Sequence, residues 1–596
     1  MKSLLSGFKS KRKWRLYIIG ILIIFSRTLF SQQLINGVVV DAETNLKISY
    51  ATVNFKKSSA LTNVDGEFIL KSNDTINWVI VKSIGYKTDT IFINDSMLYI
   101  QVRLKKIPRL INEITIQAES NNERFIIFSE AIHYLKKKFE KSMNVKSFFR
   151  SYTLVDSNRP AELFEAYYNV ECDKYGIHNP HLKAGRFIVP IETSFFNMSS
   201  LSLIENFNPL YDDYQDIFPS SPFKNEDWRL IKENYKLQIL DKTPVSDGDT
   251  LLHFKFTSKL PSKSFSGELY YHNSTHYIER IVLTIDNADK IPLSSIKDSS
   301  SNKISNLIYN IEIGFDYVKD KARYKYIVFN YEFNMSSPKQ KNHIFTSMKL
   351  LFYDYGSKFQ TPIIRSIISQ TDYQKVAFYP YNEYFFERNP VILENEAELK
   401  IIKKFKDIPS YDSKIKNYYS IPFLPHIVEE WYADWSPNID LVSKFSIPKA
   451  HYRLKYYKDD RLKNDWDSSF ASTMLYLDYD CYPDTVVFQT NALFDYKYSY
   501  SLNQDSVSMD YFKMYFEITK IASYHLLWTL IKKFRNKCPS EKEVLKIFDK
   551  INMSFENDIN TTYTNLNSKN KDILYPKFRK LLEGKLKYAE RMLGYK

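Results

Sequence analysis

Glycine is scarce in this sequence: 13 residues in a chain of 596. That argues against glycine-rich phosphate loops, and neither G-x-G-x-x-G nor G-x-x-x-x-G-K-S/T occurs. The same deficit fits a chain from an AT-rich genome, which is the plainer explanation. Cysteine is rarer still, with Cys172, Cys481 and Cys538 far apart and no C-x-x-C pair. In an exported chain one disulfide can form, leaving one thiol over. Their isolation favours a plainer expectation, three free thiols used as small apolar fillers. Also missing are H-E-x-x-H and the G-x-S-x-G nucleophile elbow. No basic block with interleaved aromatics of the nucleic-acid-binding kind is present. From these absences we expect no cofactor, no nucleic-acid partner, and no catalytic, cofactor-binding or metal site to nominate.

What remains that resembles chemistry is weak. A zinc site needs His and carboxylate ligands converging on one metal. Two H-x-x-E strings occur, His276 to Glu279 and His426 to Glu429. The first lies in an expected strand, where residues three apart point to opposite faces. The second follows Pro425 near an expected boundary. His178 and His181 flank Asn179-Pro180 and read as a surface-loop pair. Asp212, Asp213 and Asp216, and separately Asp478 and Asp480, read as solvated loop carboxylates.

Long apolar runs are absent except near the start. Five basic residues between Lys9 and Arg15 precede Leu16 to Phe25, an almost wholly apolar run. A basic segment followed by a short apolar one is the pattern of a secretory leader. It is short for a bilayer span, which takes about 20 apolar residues. Cleavage is expected after Ser31, although Leu29 is not the usual small residue before such a site, and an uncleaved anchor is the alternative. No cysteine lies nearby for a lipid anchor. Removing residues 1–31 takes away seven positive charges and no negative ones. The formal net charge then falls from +14 to +7 over the remaining 565 residues. Such a mildly basic chain suits an anionic envelope surface.

Apolar residues are plentiful, at 44% of the chain, ample for packed cores, and the length suggests about three or four domains. The most informative stretch is Thr62-Asn63-Val64-Asp65-Gly66-Glu67-Phe68. Asn and Asp bond nearby backbone amides in turns, and Gly accepts positive φ. The expected structure is a plain turn rather than a ligand site. Around it lie short alternating or apolar runs: Leu34 to Val40, Ala51 to Phe55, Phe68 to Leu70, Trp78 to Val81, Thr88 to Ile93 and Leu98 to Leu104. Six or seven short strands in about 80 residues predict a small β-sandwich.

Four blocks in this region fall in a recognisable order: Gly37 to Asp41, Ile48 to Val53, Thr62 to Phe68, and Ser83 to Tyr86. With them, residues 34–105 resemble the carboxypeptidase-regulatory-like domain of secreted and outer-membrane proteins of Bacteroidetes. The resemblance covers about an eighth of the chain. It implies a transthyretin-like sandwich without catalysis of its own, in a protein of the periplasm or outer membrane. It also suggests an envelope protein or a glycan as partner. The layout that follows is similar to that of exported Bacteroidetes proteins known only by this first domain.

Leu110 to Ile116 reads as a strand leaving the sandwich, which is expected over 32–117. In transport receptors with this first domain, a similar strand precedes a plug and a large barrel. Here an amphipathic helix is expected over 126–142 instead. A β-rich domain over 124–390 follows. Its runs include Ser147 to Tyr152, Leu163 to Val170, Tyr235 to Leu240, Leu251 to Thr257, Phe265 to Tyr271, Tyr277 to Ile285, Ile304 to Tyr317, Tyr324 to Met335 and Thr346 to Tyr355. Lys174 to Glu226, with five prolines, reads as loose. The hairpin pattern around Asn273-Ser274 resembles the half-barrel sheets of bacterial lipoprotein carriers, in shape only. Residues 391–425 read as a helix and a linker, and 426–596 as mixed and then helical. Ser540 and Glu543 have capping-box spacing. Pro576 suits the first turn of a last helix. A tail of helical period is wrong for a terminal transmembrane barrel.

The expected class is therefore an α+β multi-domain protein: small β-sandwich, half-barrel-like β-rich middle, helical C-terminal region. The function expected is non-catalytic binding or assembly at the periplasmic face of the outer membrane. A metal-dependent, peptidase-like hydrolase with dispersed ligands is the alternative. A truncated transport receptor ranks third.

Overall fold

The computed structural model describes residues 33–105, 122–406 and 469–594, less several short stretches. The longest of these stretches are 189–200, 291–302, 365–374 and 390–395. The expected leader, the strand at Leu110 to Ile116, the linker around Pro409 to Pro425, His426 to Glu429, and Asp212, Asp213 and Asp216 all lie outside the described residues. The chain divides into two units, one ending at Lys105 and the other beginning at Lys106.

The first unit holds seven strands: β1 (Gln33–Asp41), β2 (Thr52–Phe55), β3 (Ser58–Leu61), β4 (Glu67–Ser72), β5 (Trp78–Lys82), β6 (Asp89–Phe92) and β7 (Tyr99–Leu104). They form two sheets, ordered β4-β1-β7 and β3-β2-β5-β6, with β1 and β7 parallel. Inward residues of both sheets, among them Val39, Val53, Phe55, Phe68, Val79 and Val102, share one apolar core. The four sequence blocks meet through polar contacts. The Asn63 side-chain oxygen accepts from the amides of Asp65 (2.9 Å) and Glu67 (2.8 Å). The Thr62 hydroxyl donates to the Ile48 carbonyl and accepts from the Ala51 amide, each at 2.8 Å. The Tyr86 hydroxyl donates to Asp41 at 2.9 Å. Burial and the Asp41 carboxylate push that phenol up to about 12.

Gly66 sits at φ +72°, and a Cβ there would lie 2.5 Å from the Val39 carbonyl. That carbonyl and its amide are both engaged, so the backbone cannot yield freely. Gly66→Ala is expected to cost about 1–3 kcal/mol through strain. Calorimetry of the full chain would read it as a lower midpoint for the first unit. An unchanged thermogram would remove the steric argument.

In the second unit, ten strands make one antiparallel sheet. They are β8 (Met143–Val155), β9 (Arg159–Asp173), β10 (Gly176–Ile188), β11 (Tyr235–Pro244), β12 (Thr250–Ser258), β13 (Ser266–His272), β14 (Tyr277–Ile285), β15 (Lys303–Val318), β16 (Lys321–Ser336) and β17 (Lys341–Tyr355). Their order is β10-β9-β8-β17-β16-β15-β14-β13-β12-β11. The sheet is open, with β10 and β11 as its edges. β11 blunts its edge with Lys236, Lys242 and Pro244. Helix α1 (Glu123–Lys138) lies on one face and supplies Phe125, Phe128, Ala131, Ile132 and Leu135 to the core. The Phe128 ring meets those of Phe223, Phe254 and Phe256 at 5.5–5.8 Å. Smaller helices α2 (Ser202–Glu205) and α3 (Trp228–Asn234) lie between β10 and β11 in sequence.

From β12 to β16, buried and half-exposed residues mostly alternate, so one face is wet. β8 and β9 instead are buried almost throughout. Against their second face lie Phe359, α4 (Glu383–Arg388) and α5 (Glu396–Lys406). Asn169 exchanges hydrogen bonds with the Phe359 backbone at 2.7 and 2.9 Å. Tyr167 packs edge-on against Phe385 and Phe386, and Glu398 pairs with Lys349. A Cβ on Gly185 would fall 2.4 Å from Val376, so only glycine permits that approach.

Two expectations change here. Lys174 to Glu226 is not loose throughout, because Gly176–Ile188 is the edge strand β10. Pro180 is tolerated on an edge and beside a bulge, and the register shifts between His178 and His181. The β-rich stretch expected up to residue 390 holds a helix near its end, α4, whose N-cap Asn382 accepts from the Phe385 amide.

The remaining elements are β18 (Ile363–Ile364), β19 (Ser469–Phe470), β20 (Thr473–Cys481), β21 (Val486–Phe494), β22 (Tyr500–Ser501), α6 (Ser506–Phe534), α7 (Glu541–Leu566) and α8 (Lys571–Met592). The last helix begins five residues before Pro576, which therefore sits in its second turn rather than its first. No helix among the described residues is long and apolar enough to cross a membrane.

Candidate functional site

α6 docks on β20 and β21 through Met514, Ile518, Ala522, Leu526, Leu530 and Phe534, spaced for one helix face. Polar contacts fix its register. The Thr519 hydroxyl bonds that of Thr473 at 2.8 Å, and the Thr490 hydroxyl donates to the Ser523 carbonyl at 2.9 Å. α7 starts on the capping box expected from sequence: Glu543 accepts from the Ser540 amide at 3.1 Å and its hydroxyl at 2.7 Å. Arg579 of α8 pairs with Glu517 of α6.

Cys481 and Cys538 form a disulfide, which overturns the expectation of three free thiols. It ties the end of β20 to the residues just before α7, across 57 positions. Cys172 is buried in β9 as a filler, and burial pushes its thiol up. Cys538→Ser is expected to cost about 2–4 kcal/mol, the usual range for such a bridge. Reductant should then lower the wild-type melting temperature to the variant's and leave the variant unmoved.

Between the three helices lies a pocket of about 690 Å³. α6 contributes Ile518, Ala522 and Trp528, α7 Ile551 and Phe555, and α8 Leu582 and Ala589. Polar side chains are few: His525, Asp558 and Lys585 stand among them, all exposed. Leu581 and Tyr588 also line it and are 56% and 68% exposed, a large apolar surface left in water. A concave apolar site of this volume with a few polar groups has the make-up of a small-molecule site. The sequence showed the apolar stripes as core. That three of them splay enough to leave a cavity is a matter of helix packing, with no local signal.

A second constellation lies where β20 meets β10. Lys183 is fully buried, and its Nζ is 2.5 Å from Asp478 and 2.9 Å from Asp480. It also donates to the Tyr479 carbonyl at 3.2 Å. Asn382 donates to Asp478 at 3.1 Å and reaches Asp480 at 3.5 Å. These aspartates are therefore buried strand residues on one face, not solvated loop carboxylates. Burial pushes the Asp478 carboxyl up to about 6, with Lys183 pulling against it and Asp480 adding to it. Asp480 is raised for the same first reason. Burial opposes the charge on Lys183, but the two carboxylates outweigh it and hold the ammonium protonated. Three residues further along β10, Arg186 joins Arg150 in clamping buried Glu165, at 2.5 and 2.7 Å. Each charge here is answered by another, the arrangement of a structural joint.

The histidine strings do not assemble. His276 stacks on Tyr134 with centroids 3.9 Å apart and bonds the Tyr271 hydroxyl at 2.5 Å. Glu279 instead takes His272 at 2.7 Å, and Asp249 holds the other ring nitrogen at 3.3 Å. Burial works against protonation of His272, but these carboxylates raise it overall. His178 lies in β10, not a surface loop, and bonds Asp173 at 2.9 Å. Among the described residues no group of three or more His, Cys, Asp or Glu is arranged to hold a metal ion.

No family model and no curated protein matches the chain. Among solved structures, it is similar to a Bacteroides fragilis protein described as membrane-associated and of unknown function. That match has 10% identity, 55% of this chain, 99% of the other and a TM-score of 0.11. A LolA superfamily protein from Nitrosomonas europaea matches at 9% identity, covering 38% and 92% of the two chains, with a TM-score of 0.14. A DUF1329 family protein from Desulfovibrio piger matches at 9% identity over 40% and 96%, with a TM-score of 0.17. At such TM-scores these likenesses carry no argument about function.

Proposed function

We propose that the chain is an exported, non-catalytic binding protein of the cell envelope, with the pocket between α6, α7 and α8 as its ligand site. The observation that carries this reading is that pocket: about 690 Å³, mostly apolar, with exposed apolar groups at its mouth. Export is supported by the leader pattern of residues 1–31 and, independently, by the Cys481–Cys538 bridge, since disulfides persist in oxidising compartments. We assign residues 34–105 to the carboxypeptidase-regulatory-like class on their four sequence blocks. In this reading that unit is the non-catalytic accessory part, at the periplasmic face of the outer membrane.

The test is native mass spectrometry of the mature chain after exposure to a total polar lipid extract. The expected result is one small molecule per chain, released chemically unchanged and lost in Ser554→Trp, which fills the pocket from an exposed position. Release of a cleaved product would put a catalytic reading in its place.

A further inference from the structure

The pocket's charges say more than its volume. Asp558 on α7 and Lys585 on α8 are, with His525 on α6, the acidic and basic side chains among its lining residues. Both are exposed, and among the described residues neither side chain has an ion-pair partner. The neighbouring pair Arg579 and Glu517, by contrast, is joined. Two opposite charges thus stand on two walls of an apolar pocket without answering each other. Trp528 lies at the lining too, with Lys532 over its ring at 4.5 Å. A ring with an apolar body and a polar edge suits a boundary between carbon and water.

We propose that the pocket holds a single-chain zwitterionic amphiphile. Its aliphatic chain lies among Ile518, Ala522, Ile551, Phe555 and Leu582. Its acidic group, a phosphate or carboxylate, meets Lys585, and its ammonium meets Asp558. A purely anionic head would face the Asp558 carboxylate, and a purely cationic one the Lys585 ammonium. An uncharged head would leave both without a partner. This inference rests on the reading of the chain as a binding protein.

The experiment uses the mature chain and four probes with the same sixteen-carbon chain, each below its micelle threshold: lysophosphatidylethanolamine, lysophosphatidic acid, monoacylglycerol and the alkylamine. Binding is read by native mass spectrometry and by displacement of an environment-sensitive fluorophore. The zwitterion is expected to bind one per chain and tightest. Lys585→Ala and Asp558→Ala should each weaken it about threefold to fivefold, the scale of one exposed ion pair. Asp558→Ala should at the same time strengthen lysophosphatidic acid. Ser554→Trp or Ala589→Trp should remove binding of all four, and circular dichroism confirms that each variant is folded.

Equal affinity for the four probes, still lost in the Trp variants, would overturn the headgroup assignment and leave the binding reading standing. Binding that the Trp variants do not affect would place the amphiphile elsewhere and overturn the proposal. Failure of every probe to bind would overturn the amphiphile proposal alone, whereas a pocket occupied by another part of this chain or by a second copy would overturn the binding reading as well.

Discussion

Replacing Lys183 with alanine is expected to destabilise the second unit by about 3–5 kcal/mol, because it leaves two carboxylates buried without their cation. Lys183 is fully buried, so solvent cannot stand in for the lost ammonium. The sign of the pH dependence follows from the carboxyls. The folded-state value of Asp478 is raised to about 6, above its unfolded value near 4. Its contribution is full below about pH 4 and is lost as pH rises through 6. Without Lys183 the carboxyls resist ionisation further, so the penalty of the variant should be small at pH 4 and large at pH 7.5. Urea unfolding of both proteins at the two pH values checks this. Lys183→Met keeps the stem and separates lost packing from lost charge. A penalty that does not change with pH would show that the aspartates ionise freely in the fold.

Glu165 gives the opposite profile. Burial alone would raise its carboxyl, but the guanidiniums of Arg186 and Arg150 outweigh that and bring it down to about 2. A lowered value means stability that is present above the unfolded value near 4.3 and is lost as pH falls through 2. For this fully buried group the contribution at stake is roughly 3 kcal/mol, from a shift of about two units. Glu165→Gln should be weaker at neutral pH by a similar amount, up to about 5 kcal/mol, since two guanidiniums remain without their anion. It should also lose stability less steeply than wild type between pH 4.5 and 2. Parallel acid-unfolding curves for the two would sink the assignment. The two joints sit along the same strand, β10, and titrate in opposite directions. Wild-type stability between pH 3 and 7 should therefore be flatter than either variant's.

The strands of the first unit other than β3, and those from β11 to β17, were legible because one face is buried, and alternation is a local signal; Ser58 to Leu61 is too short and too polar to show it. The polar turn at Asn63 to Gly66 was legible because its chemistry is complete within five residues. β8 and β9 were recognised only in part. Their alternation is erased by Phe359, Phe385 and Phe386 of α4, and α5, which lie against the outer face from far along the chain. β10 was missed because prolines usually argue against a strand, and an edge position exempts them. Asp478 and Asp480 did carry a signal: two acids two apart in an apolar run, hence on one face. Nothing nearby named Lys183, 295 residues earlier, as their partner. The Cys481–Cys538 bridge was likewise beyond reach, since spacing alone does not select a pair. The β-rich middle is present as an open ten-stranded sheet, and the helical tail is present as expected.

The ladder between β8 and β17 pairs Val155 with Ile344 and Val145 with Tyr355. Every other neighbour in the sheet is also a neighbour in sequence order, so eight of its nine ladders can grow by successive hairpins. Only this one seam requires ends nearly 200 residues apart to find each other. Loop closure becomes slowly costlier with length, while folding slows as distant pairings dominate. The sheet should therefore assemble as two wings, β8–β10 and β11–β17, that meet last along one zipper. Cutting the backbone between the wings, after β10, would leave each with its own hairpins. Two separately made fragments should then recombine into the native sheet, and the rate of that recombination would measure the closing step alone.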